Sequence, residues 1–170
     1  NLSASWMEQS CAQHGGNPYP THGIGPIGQL LGLHRTDRMD YLVSLTSDSK
    51  NKVNSTLIRT VNGVSILLQL DVATPRPYSR LQTVCGTKGF IQKYPLPTIQ
   101  LDGEDQPTIG DDALRKAENY FNSPTAQLWQ KGHELGVPNE MNFTMDSRLI
   151  YCLQNGLPLD IDVYDAAEWS

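Results

Sequence analysis

The sequence predicts an α+β domain: an open, mainly antiparallel β-sheet with helices packed on one face, and no Rossmann domain. Three observations carry this. Between residues 41 and 94 lie short runs rich in Val, Ile, Leu and Thr, each bounded by turn residues. Beyond residue 105 the apolar period lengthens to that of a helix. Strands that come first and helices that follow cannot alternate as βαβ units, so the helices segregate to one side of the sheet.

Each element has its own warrant. Residues 1–13 carry Leu2, Trp6 and Met7 among polar residues and read as the last turns of a helix. His14-Gly15-Gly16-Asn17-Pro18 stops it, because glycine caps and proline cannot continue. Ile24–Leu33 is an apolar run opened by Pro26, a residue suited to a first helical turn. Tyr41–Leu45, Ser55–Val61, Val64–Val72 and Ser79–Cys85 are the expected strands, with Phe90–Tyr94 a shorter one. Asn62-Gly63 marks a hairpin between two of them. Asp111–Phe121, Thr125–Leu135 and Glu140–Gln154 are the expected helices, the last closed by Asn155-Gly156-Leu157-Pro158. Asp160 reads as the cap of a final helix. No repeat and no linker interrupts residues 1–170, which are expected as one domain.

Composition narrows the class. A chain of 170 residues suits one domain, which buries roughly 70% of its unfolded surface. Thirteen basic and 18 acidic residues leave a net charge of −5 and no basic stripe, which argues against nucleic acid. No apolar stretch approaches the ~20 residues of a membrane span. Three cysteines without CxxC spacing are unsuited to a disulfide framework, and Cys85 and Cys152 sit in apolar segments as small buried hydrophobes would. The chain starts at Asn1 without Met and stops within an amphipathic pattern, so both ends read as cut.

Several motifs present themselves. Gly23-Ile-Gly25-Pro-Ile-Gly28 spells G-x-G-x-x-G, but Pro18 and Pro20 forbid the buried strand that such a fingerprint needs. These glycines are expected to shape a loop and admit a closely packed helix. Next to them, Tyr19 and His22 flank a Pro-Thr pair. A phenol and an imidazole on a stiff turn suit proton transfer at a sugar hydroxyl; the plainer reading is a surface turn. In Thr74-Pro-Arg-Pro-Tyr-Ser-Arg80, two prolines would present Arg76, Tyr78 and Arg80 with little entropy to lose. Guanidinium donors and an aromatic face suit sugar binding; the plainer reading is a stiffened connection. His14, His22, His34 and His133 lack zinc-like spacing, and no metal site is expected. Asp102, Glu104, Asp105, Asp111 and Asp112 read as a solvated loop and helix start rather than a glycosidase pair. Asn1, Asn54 and Asn142 open N-x-[ST] sequons, a pattern common by chance.

Ordered blocks carry a resemblance along nearly the whole chain. They are Tyr19-Pro-Thr-His-Gly-Ile-Gly-Pro-Ile27, Arg38-Met-Asp-Tyr-Leu-Val-Ser44, Pro75-Arg-Pro-Tyr-Ser-Arg80, Arg148-Leu-Ile-Tyr-Cys-Leu153 and Asp162-Val-Tyr-Asp-Ala-Ala-Glu-Trp169. Together they resemble the C-terminal domain of the bacterial α-N-acetylgalactosaminidases of glycoside hydrolase family 109, within the wider glucose-fructose oxidoreductase and inositol dehydrogenase group. The resemblance implies a substrate-side domain whose open sheet face serves homodimers or higher oligomers. It implies an enzyme that holds NAD and oxidises the sugar transiently at C3. Elimination at C2, hydration and reduction would follow. It places His22 and Tyr19 at the reacting sugar, an N-acetylgalactosaminide or a related one, and Tyr78 in contact with it; Arg76, read above as sugar-binding, belongs to the same block. A bacterial periplasmic or extracellular location fits, though the compartment stays open.

The sequence also departs from that family. The N-terminal NAD-binding domain lies outside it, so no cofactor is expected to bind this chain alone. Thr46–Asn54 is shorter than the family's stretch, and Pro138-Asn-Glu-Met-Asn-Phe143 replaces a His-Gly-Gly-Met-Asp-Phe pattern. A chain inactive by itself is therefore expected. The alternatives are a sugar-binding or interaction module derived from the family, or part of a sugar oxidoreductase.

Overall fold

Period-two alternation is clearest in the strand β2 (Asn54–Thr60), where Asn54, Thr56, Ile58 and Thr60 are buried and Leu57 and Arg59 are exposed. The computed structural model describes residues 2–47, 53–72, 74–120 and 123–170. They divide into two units, Asn1–Tyr78 with Ile161–Ser170, and Ser79–Asp160. The 46–54 connection, expected to be short, lies largely outside the described residues.

In the first unit, β2 is the middle strand of an antiparallel sheet, between β1 (Met39–Thr46) and β3 (Ser65–Leu70). Ile58 sits opposite Leu42 on one side and Ile66 on the other. This inner face is covered by α2 (Thr21–Leu31) and α6 (Val163–Trp169), and the core is Ile24, Ile58, Ile66 and Trp169. The α+β reading, with helices on one sheet face, holds in this unit. Asn62-Gly63 forms the expected hairpin, with Gly63 at φ 88° and the Asp37 carboxylate accepting the Asn62 N–H at 3.1 Å.

The helix α2 starts earlier than the sequence suggests. Pro26 is inside it rather than at its first turn. A proline there removes one helical N–H, so the His22 carbonyl lacks its i+4 donor. The glycine motif lies within this helix rather than shaping a loop, and two of its glycines admit Trp169: a Cβ at Gly25 would come within 3.3 Å of the indole, and one at Gly28 within 2.8 Å. That is the close helix packing expected of them. Helix α1 (Leu2–His14) ends as expected, with Gly15 and Gly16 at φ 67° and 74°.

The last helix is capped by Asp162, not Asp160. The Asp162 side chain accepts from the Tyr164 and Asp165 N–H groups, and Asp165 returns a bond to the Asp162 N–H. Asp160 instead binds Arg148 through both carboxylate oxygens, each at 2.7 Å. Position before an apolar run did not distinguish two aspartates two residues apart; the ion pair did.

In the second unit a separate antiparallel sheet runs β4 (Thr83–Gly86), β5 (Gly89–Gln92), β6 (Thr98–Leu101) and β7 (Thr108–Ile109). The expected strand over Ser79–Cys85 begins only at Thr83, because its partner ends at Gln92, before Pro95. The last two strands were not expected, being short and set among polar loop residues. Cys85, on the edge strand, is exposed rather than buried, whereas Cys152 is buried as expected and Cys11 is buried too. Helices α3 (Asp111–Glu118), α4 (Pro124–Glu134) and α5 (Glu140–Asn155) match the sequence reading within a few residues, and the expected end at Phe121 lies outside the described residues. Ser123 and Asn139 cap α4 and α5, and Gly156 closes α5 at φ 62°.

Candidate functional site

The loop that follows α1 is built from the sheet outward. Asn54 is 1% exposed and donates to Ser44 Oγ at 2.9 Å and Thr46 Oγ1 at 3.1 Å, while Thr56 Oγ1 donates to Asn54 Oδ1 at 3.0 Å. The sequon at Asn54 is therefore occupied by folding, with no amide free for a glycan. Thr46 Oγ1 also accepts the Gly16 N–H at 3.0 Å, which ties the loop to the end of β1. Asn17 Oδ1 accepts the Tyr19 N–H at 2.9 Å, an Asx turn that aims the chain into Pro20, the N-cap of α2.

Tyr19 and His22 stand at that helix start. The Tyr19 hydroxyl lies 2.7 Å from His22 Nε2, and the ring centroids are 4.5 Å apart. With Nε2 as acceptor the phenol donates; in the other tautomer the imidazole donates. Both side chains reach solvent. The pair is thus a phenol and an imidazole sharing one proton on an accessible surface, which is the equipment for moving a proton at a substrate hydroxyl. Trp6 of α1 stands against Tyr19 in a perpendicular arrangement, centroids 6.3 Å apart. The sequence places Trp6 only in a helix and Asn17 only in its stop; the Asx-turn pattern of Asn17 before Tyr19-Pro20 is the signal that ties Asn17 to the site.

Tyr78 and Arg76 follow β3. Arg76 Nη1 binds Asp71 Oδ2 at 2.9 Å, and the same carboxylate accepts from the Thr74 N–H at 3.0 Å and from the Thr74 hydroxyl. Asp71 is nearly buried, so this carboxylate organises the turn and Arg76 neutralises it. Tyr78 is 73% exposed. Arg80, named beside them in the sequence, belongs to the second unit.

The other charged cluster of the first unit is structural. Arg35 grips Asp165 through two bonds of 2.6 and 2.7 Å, with Asp165 0% exposed. The Arg35 guanidinium holds the Asp165 carboxyl below its ordinary value, against the opposing effect of burial. His34 stacks on Tyr164 at 5.3 Å beside an open cleft of about 310 Å³ lined by Arg38, Asn62 and Glu168 among others. Among the described residues no group of His, Cys, Asp and Glu is arranged to hold a metal, and no helix is long and apolar enough to cross a membrane.

The glycines that spell a dinucleotide fingerprint do not fit NAD. Gly25 and Gly28 face the Trp169 ring from within α2, and no parallel strand leads into them.

A family model described as Glycosyl hydrolase 109, C-terminal domain, matches residues 1–54 and 50–170. An alpha-N-acetylgalactosaminidase of Bacteroides fragilis is 50% identical over 189 residues, covering 97% of this chain and 44% of its own length. Glycosyl hydrolase family 109 protein 2 of Phocaeicola vulgatus is also 50% identical over 189 residues, covering 97% of this chain and 46% of its own. Glycosyl hydrolase family 109 protein 1 of Bacteroides thetaiotaomicron is 36% identical over 200 residues, with 97% and 43% covered. The chain thus spans less than half the length of these relatives. The 189 aligned positions exceed its 170 residues, and the family match falls into two segments that overlap at 50–54, up to the first residue of β2.

Proposed function

The chain belongs to the glycosyl hydrolase 109 family through its C-terminal domain, and from that premise we propose that it is the sugar-side domain of an α-N-acetylgalactosaminidase, binding an N-acetylgalactosaminide and handling a proton on it. The observation that carries the proposal is the 2.7 Å approach of the Tyr19 hydroxyl to His22 Nε2 at an exposed, proline-stiffened helix start. In the bound complex the sugar takes a place at this pair. One group accepts a proton from a substrate hydroxyl, and the shared hydrogen bond passes it on. Tyr78 supplies an aromatic face and Arg76, once drawn from Asp71, directional donors to the sugar's oxygens. The chain by itself binds the sugar without turning it over. Among the described residues the fingerprint glycines Gly25 and Gly28 are packed against Trp169 and form no cradle for NAD.

The same reading includes self-association. Tyr41, Val43, Leu45, Leu57 and Leu67 share the outer face of the first sheet, and each is more than half exposed. An apolar face of this kind suits an interface between copies of the chain.

The test is titration of the labelled chain with N-acetylgalactosamine, followed by nuclear magnetic resonance. Saturable shifts centred on residues 17–24 that vanish in His22→Ala, with the rest of the spectrum intact, support the proposal. Equal binding by His22→Ala overturns the role of the pair.

A further inference from the structure

We propose that Trp6 is a positioning residue for the Tyr19–His22 pair: its indole, packed perpendicular to the phenol, keeps the Tyr19 hydroxyl on His22 Nε2. The inference rests on the reading of that pair as the proton-handling groups, and it adds what holds them in place.

The backbone of Tyr19 is held by the Asn17 side chain and by Pro20. That leaves the side chain. Its two torsions are set by what the ring touches, and a single hydrogen bond between two solvent-reaching groups competes with water on equal terms. Among the described ring contacts of Tyr19, one is His22 itself, at 4.5 Å, and the other is Trp6, at 6.3 Å and 85°. A perpendicular pair in this range is an attractive one, and it resists rotation of the phenol away from the imidazole. Trp6 is 46% exposed and stands outside the buried core of the unit, so its contact is local. The helix that carries Trp6 is joined to the site by short links. The Gly15 N–H donates to the Cys11 carbonyl at 3.0 Å and the Cys11 thiol to the Gly16 carbonyl at 3.8 Å. Trp6 and Tyr19 thus meet across one compact turn whose Gly16 is itself tied to Thr46. Loss of an aromatic pair of this kind lowers the bonded population by about two- to tenfold.

The experiment compares the His22 ring nitrogens by long-range proton–nitrogen resonance in the wild-type chain, Tyr19→Phe, Trp6→Ala and Trp6→Phe. Tyr19→Phe defines the signature of His22 without its partner. The proposal expects Trp6→Ala to move the Nε2 resonance towards that signature and Trp6→Phe to return it towards wild type, while the backbone amides outside residues 2–24 stay in place. Should Trp6→Ala disturb the first helix, Trp6→Leu makes the same comparison, keeping apolar volume without a ring. Wild-type Nε2 in the ringless variant, with Tyr19→Phe displaced, overturns the role of Trp6 and leaves the pair intact. An unmoved resonance in Tyr19→Phe removes the pair, and this inference with it.

Discussion

Trp169 lies against the backbone of Gly28, so close that a methyl group there would sit 2.8 Å from the indole Nε1. The indole is nearly buried, its N–H finds no hydrogen-bond partner among the described residues, and it forms the core with Ile24, Ile58 and Ile66. The last helix of the chain is thereby locked onto the helix that begins at the site.

Gly28→Ala is expected to destabilise the first unit. The helix interior itself favours alanine by about 1 kcal/mol, but the overlap with a ring packed in the core costs about 1–3 kcal/mol. Because the overlap with Trp169 dominates, urea unfolding should show a lower midpoint. An unchanged or higher midpoint would mean that the ring moves freely.

The Arg35–Asp165 pair sets an acid limit. Asp165 titrates lower in the folded chain than its ordinary 3.8, so its contribution is complete above that value. It fades as pH falls through the folded one. Asp165→Asn is expected to cost about 2 kcal/mol at neutral pH, since Arg35 keeps partial access to water. It should also flatten the loss of stability below about pH 4. Unfolding curves at pH 7 and pH 3 check both; parallel loss in the two proteins would be the contrary result.

Self-association is expected to depend on the outer sheet face. Leu57 stands between Val43 and Leu67 on that face, and all three are exposed. Leu57→Glu should shift the chain to monomer in sedimentation while leaving its circular dichroism unchanged. A wild-type chain that is monomeric at high concentration would rule the interface out.

No binding of NAD to the chain alone is expected, since Gly25 and Gly28 of the fingerprint are packed against Trp169. Calorimetry with the purified chain decides this. One-to-one binding in the micromolar range would be the contrary result.

Much of this protein was legible in its residues. The alternation across β2, the Asn62-Gly63 turn, the glycine stops at Gly15 and Gly156, and the three helices of the second unit are local patterns, and local sterics and periodicity decide them. The rejection of the glycine fingerprint was local too, because Pro18 and Pro20 rule out a central strand whatever surrounds them. Tyr19 and His22 were nameable for their chemistry, three residues apart on a stiff turn. Other features belong to the tertiary structure alone. Which aspartate caps the last helix was settled when Arg148 took Asp160. The length of β4 was set by the end of β5, and the burial of Cys85 was undone by its place on an edge. Why Gly25 and Gly28 lack side chains became clear only once Trp169, more than a hundred residues away, was laid against them. Trp6 could not be joined to Tyr19 by any period or spacing. A contact between distant residues depends on the packing of whole elements, and no local propensity encodes it.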